Sequence, residues 1–210
     1  MATTISEVKN AFEILFTGLC NKSFSKSLYL EHWGEKALLP LVRTFLLGYF
    51  GHNIEPEKQA TLPGGLTGKG KIDFLIDDVA VEFAVRTPNS GANTLSRRIN
   101  EDEIKKLLKF DGKALLVLFD FSKKPFSAEE LEAFRSHPSL GKGNHKKTPF
   151  QISYFFKDSE KTTGHIKKQI RARKRKSTDP VKSEPQSIPL ESPDSMQYEN
   201  YIQADQDNQL

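Results

Sequence analysis

Each half of the segment KIDFLIDDVAVEFAVR, Lys71–Arg86, carries a carboxylate in an otherwise apolar run: Asp73 in the first and Glu82 in the second. The pattern predicts two short strands joined by a tight turn at Asp77-Asp78. An ionised carboxyl inside a buried strand is costly unless it is paired, hydrogen-bonded or bound to a cation. Side chains alternate faces along a strand, so Asp73 shares a face with Lys69 and Lys71, and Glu82 shares one with Ala84 and Arg86. A short hairpin can bring Asp73 and Glu82 together. Two close carboxylates resist joint ionisation, and a hard divalent cation such as Mg²⁺ takes oxygen ligands readily. The competing expectation is a metal-free pair of carboxylates held by Arg86 or Lys71.

The elements that must position this pair are legible on both sides of it. Val8, Phe12, Leu15, Phe16 and Leu19 recur at helical spacing and predict a helix over residues 5–19, with Ser6 as its cap. Residues 21–30 read as a linker. A second helical pattern runs from about Glu31 to Phe50, with Leu38, Leu39, Val42, Leu46 and Tyr49 as its stripe. Pro40 inside it predicts a kink or a fresh start. A weak strand signal covers Ile54–Leu62, followed by a flexible loop at Pro63-Gly64-Gly65. Leu95–Phe110 reads as a basic helix, and KALLVLFDF, Lys113–Phe121, as a central strand buried on both faces. Ser127 with Glu130 three residues on predicts a capped helix to Ser136, and Phe150–Phe156 a last strand. The fold class is therefore α/β, a mixed central sheet flanked by helices.

The formal net charge of the 210 residues, +4, conceals an asymmetry. From Ser177 to Leu210 seven acidic residues face Lys182 alone, leaving that tail near −6 and the preceding 176 residues near +10. Seven of the positive charges lie in KKQIRARKRK, Lys167–Lys176. Such density without acids points to a polyanion, nucleic acid above all. The expected organisation is an α/β domain over 1–160, a basic segment over 161–176 and a disordered acidic tail over 177–210. With Cys20 as the one cysteine no internal disulfide forms, and a reducing, intracellular (cytoplasmic) compartment is expected, nuclear if the host is eukaryotic. No apolar run reaches the ~20 residues of a membrane span, so no membrane partner is expected.

The order helix, three strands, helix, strand over about Glu31–Phe121, with Asp73 on the second strand and Glu82 on the third, resembles the PD-(D/E)XK nuclease superfamily. The resemblance implies a restriction-endonuclease-like core in which Asp73 and Glu82 hold Mg²⁺ (or Mn²⁺). It also implies help from the main-chain carbonyl of Phe83 and from a glutamate on the first helix of the core, matched by Glu35. The implied activity is endonuclease cleavage of DNA by metal-dependent hydrolysis of phosphodiester bonds. Ala84 stands where the motif lysine belongs, and Ile72 where its proline does. That lysine migrates in some members. Arg86 and Lys71 are the local substitutes and Lys105 a more distant one, although arginine stabilises phosphate charge without exchanging protons.

Basic residues expected on nucleic acid are Arg97, Arg98 and Lys105 of the helix, and Lys167, Lys168, Arg171, Arg173, Lys174, Arg175 and Lys176 of the basic run. For the helical ones the plain expectation is a solvated face, since Glu101, Asp102 and Glu103 are interspersed. The five scattered histidines suggest no metal site, and Trp33 reads as a core anchor. The alternative to an enzyme is a catalytically inactive nuclease-fold protein that binds nucleic acid or a partner protein. The partners expected besides nucleic acid are a homodimer or a protein docked through the tail.

Overall fold

The computed structural model describes residues 2–29, 33–61, 69–88, 95, 99–135, 148–158 and 163–170. The predicted apolar stripe of the first helix is the buried face of α1 (Ile5–Cys20). Thr4 starts this helix, not Ser6. The Thr4 hydroxyl accepts from the Glu7 N–H at 3.2 Å, and the Glu7 carboxylate accepts from the Thr4 N–H at 2.6 Å, which ties off two otherwise orphaned donors. Residues expected as a linker form a short helix, α2 (Lys22–Leu28), capped by the Asn21 side chain. It buries no residue, so it carries none of the apolar periodicity that predicts helices. In α3 (Glu35–Phe50) Pro40 neither ends the helix nor restarts it. The lost bond to the Lys36 carbonyl is outweighed by the face Leu38, Val42 and Leu46, each burial being worth about 1.5–3 kcal/mol.

Six strands follow: β1 (Ile54–Thr61), β2 (Lys69–Ile76), β3 (Val79–Arg86), β4 (Lys113–Asp120), β5 (Phe150–Lys157) and β6 (Thr163–Ile170). They lie in chain order in one sheet. β1, β2 and β3 are antiparallel neighbours, β3, β4 and β5 are parallel, and β6 returns antiparallel on β5. The parallel crossover from β3 to β4 is made by α4 (Glu101–Lys109), which starts later than the Leu95 expected from sequence. α5 (Ala128–Glu132) has the Ser127–Glu130 cap predicted for it and lies between β4 and β5. β6 was not foreseen: residues 163–170, assigned to a basic segment, are an edge strand. Its ladder to β5 decides this, because GHIKKQI has little alternation of its own. Gly164 leaves room there for the Phe156 ring, which a Cβ would meet at 2.2 Å and displace.

Side-chain alternation divides the core into two layers. Val79, Val81, Phe83 and Val85 of β3 face α1 and α3, together with Leu115, Val117 and Phe119 of β4. Ala80 and Ala84, with Leu116 and Leu118, face α4 and α5. Glu82 and Arg86 therefore belong to the α4 face. An aromatic cluster joins the first layer: Phe119 meets Phe12, Phe16, Phe83 and Phe155 edge-on at 4.9–6.0 Å. No described helix is long and apolar enough to cross a membrane. The compact unit runs Met1–Lys174, and the acidic tail and the loop at Gly64-Gly65 lie outside the described residues.

Candidate functional site

The two carboxylates meet where the sheet is locally broken. The β2–β3 ladder stops at the Phe74–Val81 pair, one step short of Asp73 and Glu82. In place of a main-chain carbonyl, the Asp73 carboxylate accepts the Phe83 N–H at 2.9 Å. On the other side of β2, pairing with β1 skips the Glu57–Asp73 position. Glu57 there has φ of 50°, a left-handed conformation that costs a non-glycine residue about 1–2 kcal/mol. Across this break the alternation changes phase: Ile72 packs on the α4 face, whereas Phe74 and Ile76 pack beneath α1 and α3. Strain of this kind marks a position held by its surroundings. Glu57→Val should cost about 1–2 kcal/mol in a denaturant melt, because a β-branched residue tolerates positive φ least. Glu57→Gly should be near neutral. Equal costs would place the strain elsewhere.

Glu82 is fully buried on β3. Its Oε2 accepts from Lys106 Nζ of α4 at 2.8 Å, while its Oε1 is buried with no partner. Glu103, one helical turn before Lys106, also has a buried carboxylate oxygen, Oε2, without a partner. Glu35 opens α3 as an exposed residue, and its carboxylate takes a hydrogen bond from the main chain of Val85. Burial, then Asp73, then Glu103 push its carboxyl up to about 7. Burial and then Asp73 push Glu82 up to about 9, against the pull of Lys106. Burial also raises Asp73, opposed by the Phe83 N–H and Lys106. Burial works against the charge of Lys106, but Glu82, Asp73 and Glu103 more than offset it and lift its pKa. Four carboxylates thus share one ammonium group. Fully ionised, they leave a surplus of negative charge that needs protons or cations to remain buried.

The structure therefore brings Glu35, Asp73 and Glu82 into one electrostatic cluster and adds two residues that the sequence reading did not single out, Lys106 and Glu103. The signal for both was their three-residue spacing on α4, which places them on one helix face. Among the described residues, no group of three or more His, Cys, Asp or Glu side chains is arranged to hold a metal ion. Phe83 reaches the cluster through its N–H, whereas the resemblance implied its carbonyl. Lys71 is exposed and 3.4 Å from Glu57. Lys105 pairs with Glu101 along the helix surface.

Arg86 is occupied elsewhere. Its Nε donates to Asp120 Oδ1 at 3.0 Å, its Nη2 to Asp120 Oδ2 and to the Lys124 carbonyl at 2.8 Å, and its guanidinium lies 4.2 Å from the centre of the Phe126 ring. Tyr154 Oη donates to the same Asp120 at 2.5 Å. Lys167 and Lys168 pair in register with Ser153 and Ile152 of β5, so their side chains alternate faces, and Lys168 is bonded to Glu132. Arg97, Arg98, Arg171, Arg173, Lys174, Arg175 and Lys176 lie outside the described residues. The chain matches no protein-family model, no curated protein and no solved structure.

Proposed function

We propose that this protein is a metal-dependent nuclease with a restriction-endonuclease-like core, hydrolysing phosphodiester bonds in DNA inside the cell. The observation that carries the reading is the break between β2 and β3, where Asp73 lies close to the buried Glu82, whose Oε1 has no partner. The order α3, β1, β2, β3, α4, β4 agrees with the resemblance. Glu35, Asp73 and Glu82 would hold Mg²⁺ or Mn²⁺, and the orphaned Glu82 Oε1 is the kind of atom such an ion requires. A bound divalent cation supplies a Lewis acid that lowers the pKa of water and screens phosphate charge.

Lys106 is the candidate for the displaced motif lysine. Its pKa is raised, so it is protonated at neutral pH and acts as a fixed positive charge toward phosphate, not as a proton acceptor. Asp73 is oriented by the Phe83 N–H, and burial of Glu82 keeps bulk water from one side of the cluster.

A second reading, an inactive relative that binds nucleic acid or a protein partner, is favoured by the direct Lys106–Glu82 ion pair and by the lack of a ready-made metal-holding group among the described residues. The test incubates the purified chain with supercoiled DNA, single-stranded DNA and RNA in Mg²⁺ or Mn²⁺. Nicking or cutting is expected, with Asp73→Asn slower by about 10³-fold, the equivalent of roughly 4 kcal/mol of transition-state stabilisation. A folded wild-type protein that binds DNA and never cuts it, with either metal, would leave the inactive reading in possession.

A further inference from the structure

We propose that α2 is a contact for single-stranded nucleic acid, with Phe24 and Tyr29 stacking on bases and Lys22 and Lys26 meeting the phosphates. The inference rests on the nucleic-acid part of the reading above, not on the metal site or on cleavage. α2 buries no residue, yet the helix and its cap hold two aromatic rings. Phe24 is 46% exposed and Tyr29 67%. Among the described residues neither ring stacks on another. Tyr29 ends the helix with φ of 51° and ψ of 43°, the left-handed conformation that glycine or asparagine usually takes there. A large ring is thus held in water at a strained position, and an outlier of this kind points toward function.

Charge selects the occupant. Between Glu13 and Glu31 the chain has no acidic residue, and Lys22 and Lys26 stand on either side of Phe24 in the sequence. Both lysines are exposed, and among the described residues neither is in an ion pair. Rings interleaved with unpaired cations suit a single strand, because the rings take base faces and the cations neutralise the backbone. A lipid surface would ask for an apolar stripe. Here Ser23, Ser25 and Ser27 fill the helix, and Leu28 turns in against the core layer beneath α1 and α3, which anchors α2. Phe24 and Tyr29 are about 7–8 Å apart along the helix axis. That separation suits neighbouring bases of an extended strand, whereas stacked duplex bases recur every ~3.4 Å and offer no open face.

The measurement is fluorescence anisotropy of labelled oligothymidylate, oligouridylate and a mixed-sequence DNA duplex, titrated with the full chain in EDTA so that no metal-dependent cleavage intervenes. Tyr29→Gly relieves the backbone strain, so it should melt no lower than the unaltered chain. It should nevertheless bind the single strands about 5- to 150-fold more weakly, as loss of one stacked base does. Phe24→Ser should weaken them to a similar extent, and Phe24→Trp should keep the affinity. Duplex affinity should stay within about 2-fold in all three, since paired bases present no face to stack. Lys22→Gln with Lys26→Gln should lower the slope of log affinity against log salt by about 1.4, or about 0.7 for each phosphate contact. Tighter binding of oligothymidylate would identify the strand as DNA and tighter binding of oligouridylate as RNA, and either sustains the proposal. Unchanged single-strand affinity in both aromatic variants, equal losses on duplex, or a folded chain that binds no single strand would overturn it. Self-association that is lost in Tyr29→Gly while single-strand affinity is kept would reassign the surface to a second copy. Single-strand binding that follows the expected pattern without cleavage in Mg²⁺ or Mn²⁺ would sustain this inference and defeat only the nuclease reading. Cleavage of DNA by a chain whose aromatic variants bind as tightly as the unaltered one would defeat only this inference.

Discussion

Asp120→Ala should destabilise the protein by about 3–5 kcal/mol in equilibrium denaturant unfolding. That is a large part of the ~5–15 kcal/mol that holds a typical domain folded. Asp120 is fully buried and accepts four hydrogen bonds, from Arg86 Nε and Nη2, from Tyr154 Oη and from the Ser122 N–H. Its removal leaves the Arg86 guanidinium in the core without a carboxylate, beside the Lys124 carbonyl, the Tyr154 hydroxyl and the Phe126 ring. The penalty belongs to the stranded charge, so Arg86→Met with Asp120→Leu should recover most of the loss. Arg86→Lys should not, because an ammonium group cannot reproduce the paired bonds to Asp120. The same series separates two roles for Arg86. If it only ties β3 to β4 and β5, activity will follow folded fraction. If it also meets phosphate, Arg86→Lys will lose activity beyond its loss of stability. A cost below about 1 kcal/mol for Asp120→Ala would show that water enters this knot.

The second large effect is on pH. Without added divalent cation, stability should fall as pH rises from about 5 to 9. Glu82 has an ordinary carboxyl pKa of 4.5 when unfolded and about 9 when folded. Between those values the native state binds more protons than the unfolded state, so the stability gained from this group is complete below pH 4.5 and is lost as pH climbs through 9. Each such group can contribute at most about 1.4 kcal/mol per pH unit. Glu35, raised to about 7, acts in the same direction over a narrower window and with less weight, since the residue is exposed. Because these groups interact, the titration belongs to the cluster as a whole. Glu82→Gln should therefore be more stable than the unaltered chain at pH 8–9 and show a flatter profile, while losing metal-dependent activity. Saturating Mg²⁺ should flatten the unaltered profile too, as a ligand bound only by the native state does. Parallel pH profiles for the two proteins would mean that Glu82 is already solvated.

Much of the architecture could be read from side-chain periodicity. The stripe of α1, the Asp73–Glu82 hairpin, the apolar run of β4 and the Ser127 cap all appear where local pattern and tertiary burial agree. The failures are elements whose state is decided by distant partners or by caps alone. β6 is a strand because β5 offers it a ladder. α2 is a helix because Asn21 caps it, with no buried face to announce it. At the site, Asp73 and Glu82 were evident because charge in an apolar strand is conspicuous. Lys106 was hidden among Lys105 and Lys109 on a helix that looks uniformly solvated. One of the three turns inward only because Ile104, Leu107 and Leu108 set the rotation of α4. The choice of Lys106 over Lys105 follows from that rotation, and charge pattern alone cannot express it.

The placement of α1 also affects the chain while it is being made. Its apolar face is synthesised before the strands that cover it, since Phe16 packs on Phe119, Phe121 and Phe155, and Lys9 reaches Gln151. At ~5–20 residues per second, Phe16 waits roughly 7–30 s for Phe155 to be added. Through that interval the stripe Val8, Phe12, Leu15, Phe16 and Leu19 lacks its complete native cover, because the β5 part of it is missing. A nascent chain arrested before β5 should be held by ribosome-associated chaperones through residues 5–20, and should let go once the sheet behind that helix is complete.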